Sequence, residues 1–120
     1  MSIPPAKTAT ILVVDDDPQV REIVSELLGD FGHSVLVAGG GIEALQVLDE
    51  VPAIELVITD VRMPDISGLE LAARAKRERG DLKVILISGY FLAHDTGLRL
   101  LRKPFRMTEL RAAVDAELAG

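Results

Sequence analysis

Apolar residues in this chain fall into two periodicities that alternate from one end to the other. TILVV (10–14), SVLVA (34–38), LVITD (56–60) and KVILIS (83–88) are short, unbroken, mostly β-branched runs, and GLRLLRKP (97–104) is a weaker fifth. Runs without polar alternation suit strands covered on both faces, as in a parallel sheet. Between them the spacing becomes helical. Val20, Ile23, Val24, Leu27, Leu28 and Phe31 follow the i, i+3, i+4, i+7 rule. IEALQVL (42–48) and GLELAARAKRE (68–78) predict two more helices, and Leu110, Ala113, Val114 and Leu118 a last one. Strands alternating with helices at this spacing imply βα units with right-handed crossovers, and so a doubly wound α/β sandwich. The stretch from Tyr90 to Thr96 breaks the rhythm, holding at most one or two helical turns.

Composition narrows the picture without changing it. The 120 residues suit one domain, and at 48% hydrophobic they can bury a core. A net charge of −6 lacks the basic footprint of a general nucleic-acid binder, so no nucleic-acid partner is expected. There are no cysteines, hence no disulfide frame and no Cys-based metal site. No apolar segment is long enough to span a membrane, and MSIPPAKTAT lacks the apolar region of a signal peptide. Residues 1–9 read as a flexible N-terminal arm and 10–120 as the domain, in a soluble, cytoplasmic protein with no membrane partner.

Ligands of open α/β sheets bind outside the carboxyl ends of the strands. Four polar groups stand at such ends: the aspartates Asp15, Asp16 and Asp17 after strand 1, Asp60 after strand 3, Ser88 after strand 4 and Lys103 after strand 5. Two unit charges about 4 Å apart repel by about 4 kcal/mol at an effective dielectric near 20. A hard divalent cation relieves such a cluster, and Mg²⁺ favours one or two carboxylates with water and phosphate oxygens. Carboxylates, a lysine and a hydroxyl at one edge therefore suggest phosphoryl chemistry. Asp17 has a structural reading as the cap of the first helix, with Pro18 at the first helical position. Gly39-Gly40-Gly41 invites a phosphate-loop reading, but no Lys-Ser/Thr signature follows, so a strand-to-helix turn is expected. His33 and His94 have no metal-ligand partner at recognisable spacing and read as loop residues. Arg99, Arg102, Arg106 and Arg111 read as a solvated face, with a partner surface as the alternative.

VVDDDP, VITDVRMPDISGLEL, ILISG and LLRKPF, in that order, resemble the response-regulator receiver domains of bacterial two-component signalling. The resemblance runs from about Thr10 to Leu118. It implies a flavodoxin-like five-stranded parallel sheet of order 2-1-3-4-5. It also implies that Asp60 accepts a phosphoryl group from the phosphohistidine of a histidine kinase or phosphotransfer protein. Asp16, Asp60 and the backbone carbonyl of Arg62 would ligate Mg²⁺, and Asp15 would act through metal-bound water or the lysine. Ser88 and Lys103 would each hold a phosphoryl oxygen, and Pro104 would follow a cis bond from Lys103. Phosphorylation would then switch binding to a downstream protein of unknown identity, with Ser88 and Lys103 passing the change to the 89–97 loop.

Two departures from the family pattern bear on output. Fifteen positions separate Ser88 from Lys103, where receivers usually have twenty or more, so the family's fourth helix is expected to be shortened or absent. The switch position, usually Tyr or Phe, is Leu100. Receivers often dimerise through this region, so the departures leave the oligomeric state open. Two other readings stand beside the first: a pseudo-receiver that binds partners without turning over phosphate, and an aspartyl-phosphate hydrolase of the haloacid-dehalogenase type with Asp15 as nucleophile. No output domain follows Leu118, so a single-domain regulator is expected, with a receiver excised from a longer protein as the alternative.

Overall fold

The computed structural model describes residues 8–89 and 96–119. Among the described residues the elements run β1 (Thr10–Val14), α1 (Pro18–Asp30), β2 (Ser34–Ala38), α2 (Gly41–Glu50), β3 (Ile54–Asp60), α3 (Gly68–Glu78), β4 (Lys83–Ser88), β5 (Arg99–Arg102) and α4 (Met107–Ala119). The strands form one parallel sheet in the order β2-β1-β3-β4-β5. Chain direction reverses its progress across the sheet between β1 and β3, since β2 lies on one side of β1 and every later strand on the other.

Successive strand residues point to opposite faces, and the core divides accordingly. Ile11, Val13, Leu56, Ile58, Ile85 and Ile87 face Val24 and Leu28 of α1 and Leu110, Val114 and Leu118 of α4. Leu12, Val14, Val57, Val84 and Leu86 face Ala44 and Leu48 of α2 and Leu71, Ala72 and Ala75 of α3. Both faces of the central strands are thus covered. β2 departs from that pattern: it is as apolar in sequence, but as an edge strand it leaves Val37 exposed.

Local chemistry sets the element ends that matter for the site. Asp17 is the N-cap of α1, its carboxylate accepting from the Gln19 amide at 2.9 Å, and Pro18 takes the first helical position. The chain leaves α1 through Gly32, whose φ of +99° is a left-handed conformation that glycine adopts without a Cβ clash. Ser67 caps α3 by accepting from the Glu70 amide at 3.1 Å. Ala9, just ahead of β1, is buried, and its carbonyl accepts from the Ser34 amide. The rest of the expected arm, residues 1–7, lies outside the described residues, as does the 90–95 segment on which the expected shortening or loss of the family's fourth helix falls. Among the described residues, no helix is long and apolar enough to cross a membrane.

Candidate phosphoryl and metal site

Sheet register brings the polar strand ends together. Val14 pairs with Thr59, so the next residues along, Asp15 and Asp60, lie level on neighbouring strands. Asp60 pairs with Ile87, and Ser88 with Arg102, which puts Ser88 and Lys103 one step beyond, at the same edge. Asp15, Asp16 and Asp60 each offer a carboxylate oxygen within 4.8 Å of the others. The Lys103 ammonium reaches back to the Asp60 Oδ2 atom at 3.3 Å and stands 3.9 Å from Asp15 Oδ2. The Lys103–Pro104 peptide is cis, and the Lys103 amide donates to the Ser88 carbonyl at 2.8 Å. Ser88 is buried, and Leu100 is partly buried against the α2–α3 side of the core.

The three adjacent aspartates have different surroundings. Asp15 is only 2% exposed, Asp16 lies at the surface, and Asp17 is taken up by the α1 cap. Asp15 Oδ1 accepts from the Asp17 amide at 2.9 Å, while Arg21 Nη1 donates to the Asp15 carbonyl at 2.9 Å. Its other oxygen, Oδ2, is buried and accepts no hydrogen bond. Burial pushes the Asp15 carboxyl above the ordinary carboxylate range. The negative charges of Asp60 and Asp16 push the same way, against the Asp17 hydrogen bond and Lys103. A buried acceptor without a donor, among carboxylates that repel one another, is a set of hard oxygen donors that fits a divalent cation.

Three residues not singled out in the sequence, Gly68, Thr59 and Asp65, also shape this crevice. Gly68 begins α3 so close to the strand end that a Cβ there would lie 2.2 Å from the Asp60 carbonyl oxygen. The Thr59 hydroxyl, fully buried, donates to that same carbonyl at 2.9 Å. Asp65 accepts from the Gly41 and Ile42 amides at 3.2 and 2.9 Å. Arg62 is exposed, and its amide approaches Asp60 Oδ1 at 3.4 Å. The four arginines weighed as a partner surface are not one free face: Arg99 pairs with Glu117 at 2.6 Å, and the Arg111 guanidinium lies 5.0 Å over the Phe31 ring. His33 is a loop residue but a buried one, and His94 lies outside the described residues.

The family model described as the response regulator receiver domain matches residues 11–115. The DNA-binding transcriptional regulator NtrC of Azospirillum brasilense is 36% identical over 117 residues, which cover 92% of this chain and 24% of that protein. The sensor kinase CckA of Brucella abortus is 32% identical over 115 residues, 89% of this chain and 12% of that protein. The chain therefore spans about a quarter or less of these two curated relatives. Among solved structures, the response regulator protein TrrA from Thermotoga maritima, in complex with Mg²⁺-BeF, is 34% identical with a TM-score of 0.84, covering 91% of this chain and 98% of that one. With a matching family model over most of its length, the chain belongs to the response regulator receiver domain family.

Proposed function

We propose that this domain accepts a phosphoryl group on Asp60 from the phosphohistidine of a histidine kinase or a phosphotransfer protein, with Mg²⁺ held by Asp16, Asp60 and the Arg62 carbonyl and, through water, by Asp15. The observation that carries this reading is the convergence of three carboxylates within 4.8 Å, with Lys103 3.3 Å from Asp60, at the carboxyl edge of the sheet. The described relatives include a sensor kinase and a transcriptional regulator, which supports a kinase as the partner that supplies the phosphoryl group. The Thermotoga maritima relative was solved with Mg²⁺-BeF, which supports Mg²⁺ as the cation.

In the proposed step an Asp60 carboxylate oxygen attacks phosphorus. A P–O bond forms as the P–N bond to the donor imidazole breaks. The imidazole nitrogen keeps the bonding pair and takes a proton from solvent, leaving an acyl phosphate on Asp60. Most of the work is positioning and charge neutralisation, because the transferring group carries spread negative charge. Lys103 supplies one fixed positive charge beside Asp60. Ser88, buried at the end of β4, offers a hydroxyl to one phosphoryl oxygen. In this reading Asp16, Asp60 and the Arg62 carbonyl would hold the ion directly, and Asp15 would act through water. Mg²⁺, when bound, offsets the carboxylate charge and that of the incoming phosphoryl oxygens. The reading carries a bacterial, cytoplasmic location with it and invokes no nucleic-acid partner for this domain.

The pseudo-receiver reading draws on Leu100, which stands where the family has an aromatic switch residue. One experiment separates the two: intact mass after incubation with a small phosphodonor, with Mg²⁺ or with chelator. A metal-dependent gain of one phosphoryl group supports the phosphoacceptor. Folded protein that gains nothing from a small donor or from a phosphorylated kinase domain supports the interaction module.

A further inference from the structure

α2 begins without a cap of its own. Its N-cap residue is Gly40, which has no side chain to receive the free amides of the first turn. Those amides find a carboxylate 23 and 24 residues away in sequence: Asp65 Oδ2 accepts from Ile42 at 2.9 Å and Oδ1 from Gly41 at 3.2 Å. Asp65 Oδ1 also accepts from the Ile66 amide at 2.7 Å, which fixes the carboxylate to its own loop. Together these hydrogen bonds hold the Asp65 carboxyl below the ordinary carboxylate range.

The glycine run makes this approach possible. A Cβ on Gly40 would lie 2.9 Å from Asp65 Oδ2, and one on Gly41 would lie 2.3 Å from Ile66 Cγ1. Gly40 and Gly41 therefore form a flat seat for the tip of the β3–α3 loop, while Gly39 faces Arg21 and Glu43.

That loop runs from Val61 to Ser67 and contains Arg62. Its base is closed by the Gly68 amide donating to the Val61 carbonyl at 2.8 Å and by Val61 donating to Ile87 at 3.0 Å. The tip leans outward, with Arg62, Pro64 and Asp65 all exposed. We propose that Asp65 is a positioning residue for the metal site: by binding the tip of the β3–α3 loop to the N-terminus of α2, it holds the Arg62 carbonyl ready to ligate. The role rests on the phosphoacceptor reading above, which gives that carbonyl its task. Partners outside the first ligand shell orient the ligands and typically change metal affinity by about 10–100-fold when removed.

The test is a Mg²⁺ titration by calorimetry on wild type, Asp65→Ala, Asp65→Asn and Ser67→Ala, with amide hydrogen exchange read at Gly41 and Ile42. Asp65→Ala is expected to lose protection at both amides and to weaken Mg²⁺ binding about tenfold. Asp65→Asn keeps one acceptor oxygen and is expected to fall between. Ser67→Ala removes the α3 cap at the other end of the same loop, and it should cost stability without moving Mg²⁺ affinity. In phosphorylation followed by mass, Asp65→Ala should need more Mg²⁺ yet reach the wild-type extent at saturation, whereas a misfolded fraction would lower the extent instead.

Equal Mg²⁺ affinity in wild type and Asp65→Ala overturns the role, as does an equal loss in Ser67→Ala. Unchanged exchange at Gly41 and Ile42 overturns the contact itself. Wild-type protein that binds no Mg²⁺ and gains no phosphoryl group sinks the phosphoacceptor reading first, and the task assigned to Asp65 goes with it.

Discussion

Asp15 carries a local conflict, with one carboxylate oxygen hydrogen-bonded and the other buried without a hydrogen bond. Because its folded-state pKa is raised, its contribution to stability is present below the ordinary carboxylate pKa and is lost as pH rises through the raised value. At neutral pH the charge is therefore a liability until a cation binds. Asp15→Asn, which keeps the acceptor for the Asp17 amide, should stabilise the metal-free protein by about 1 kcal/mol, or about 4 °C in Tm. The gain should vanish in acid, and Mg²⁺ affinity should fall about tenfold. Thermal melts across pH, with and without Mg²⁺, check both. Gly68→Ala acts through space instead of charge: its Cβ would meet the Asp60 carbonyl oxygen, so the turn after β3 must shift. A loss of about 1–3 kcal/mol by urea denaturation is expected, in the range of overpacked cores. The residues of the crevice itself were legible because each ends an apolar run. Asp65 and Gly68 were not, since their partners are decided by how two loops meet, and Pro64-Asp65 in isolation reads as an ordinary turn.

Element by element, legibility followed burial. The apolar runs at 10–14, 34–38 and 83–88 coincide with β1, β2 and β4, while β3 starts two residues earlier than its run, at Ile54. Glu55 interrupts the apolar pattern there, yet the chain is already extended and Ile54 is fully buried. The apolar pattern of β2 by itself does not mark an edge strand, because strand order is a property of the whole sheet; the order 2-1-3-4-5 implied by the family resemblance does, and the sheet has it. The link between α1 and β2 carries the clearest pH effect outside the crevice. His33 Nδ1 accepts from the Ala9 amide at 3.1 Å, which requires an unprotonated nitrogen at that position. Burial lowers the His33 pKa and the Arg111 charge adds to that, against Asp115. Since the folded-state pKa is depressed, this stability is present above the ordinary histidine value and is lost as pH falls through the folded one. Stability should therefore decline below about pH 6.5 in wild type. His33→Gln, measured by denaturation from neutral to mildly acidic pH, should flatten that decline.

On the scale of the whole molecule, parallel topology explains why so much chemistry was readable at all. When every strand runs the same way, every carboxyl end opens on one edge, and polar residues that close separate apolar runs become neighbours. Register then does the fine alignment, setting Asp15 level with Asp60 and Ser88 beside the β5 end. Coverage by α1 and α4 on one face and α2 and α3 on the other keeps the central strands from shifting. What the apolar pattern could not supply was the close seating of the loops above the sheet, which depends on absent side chains at Gly40, Gly41 and Gly68 as much as on present ones.

The central claim is chemical: Asp60, and no other carboxylate of the cluster, takes the phosphoryl group. The most direct test is to phosphorylate the protein with Mg²⁺ and a small phosphodonor, reduce the acyl phosphate with borohydride, and map the altered peptide. The account requires the reduced residue at position 60, with no product from Asp60→Asn. Product at Asp15 would instead fit a hydrolase-type nucleophile, and its appearance there would contradict the claim.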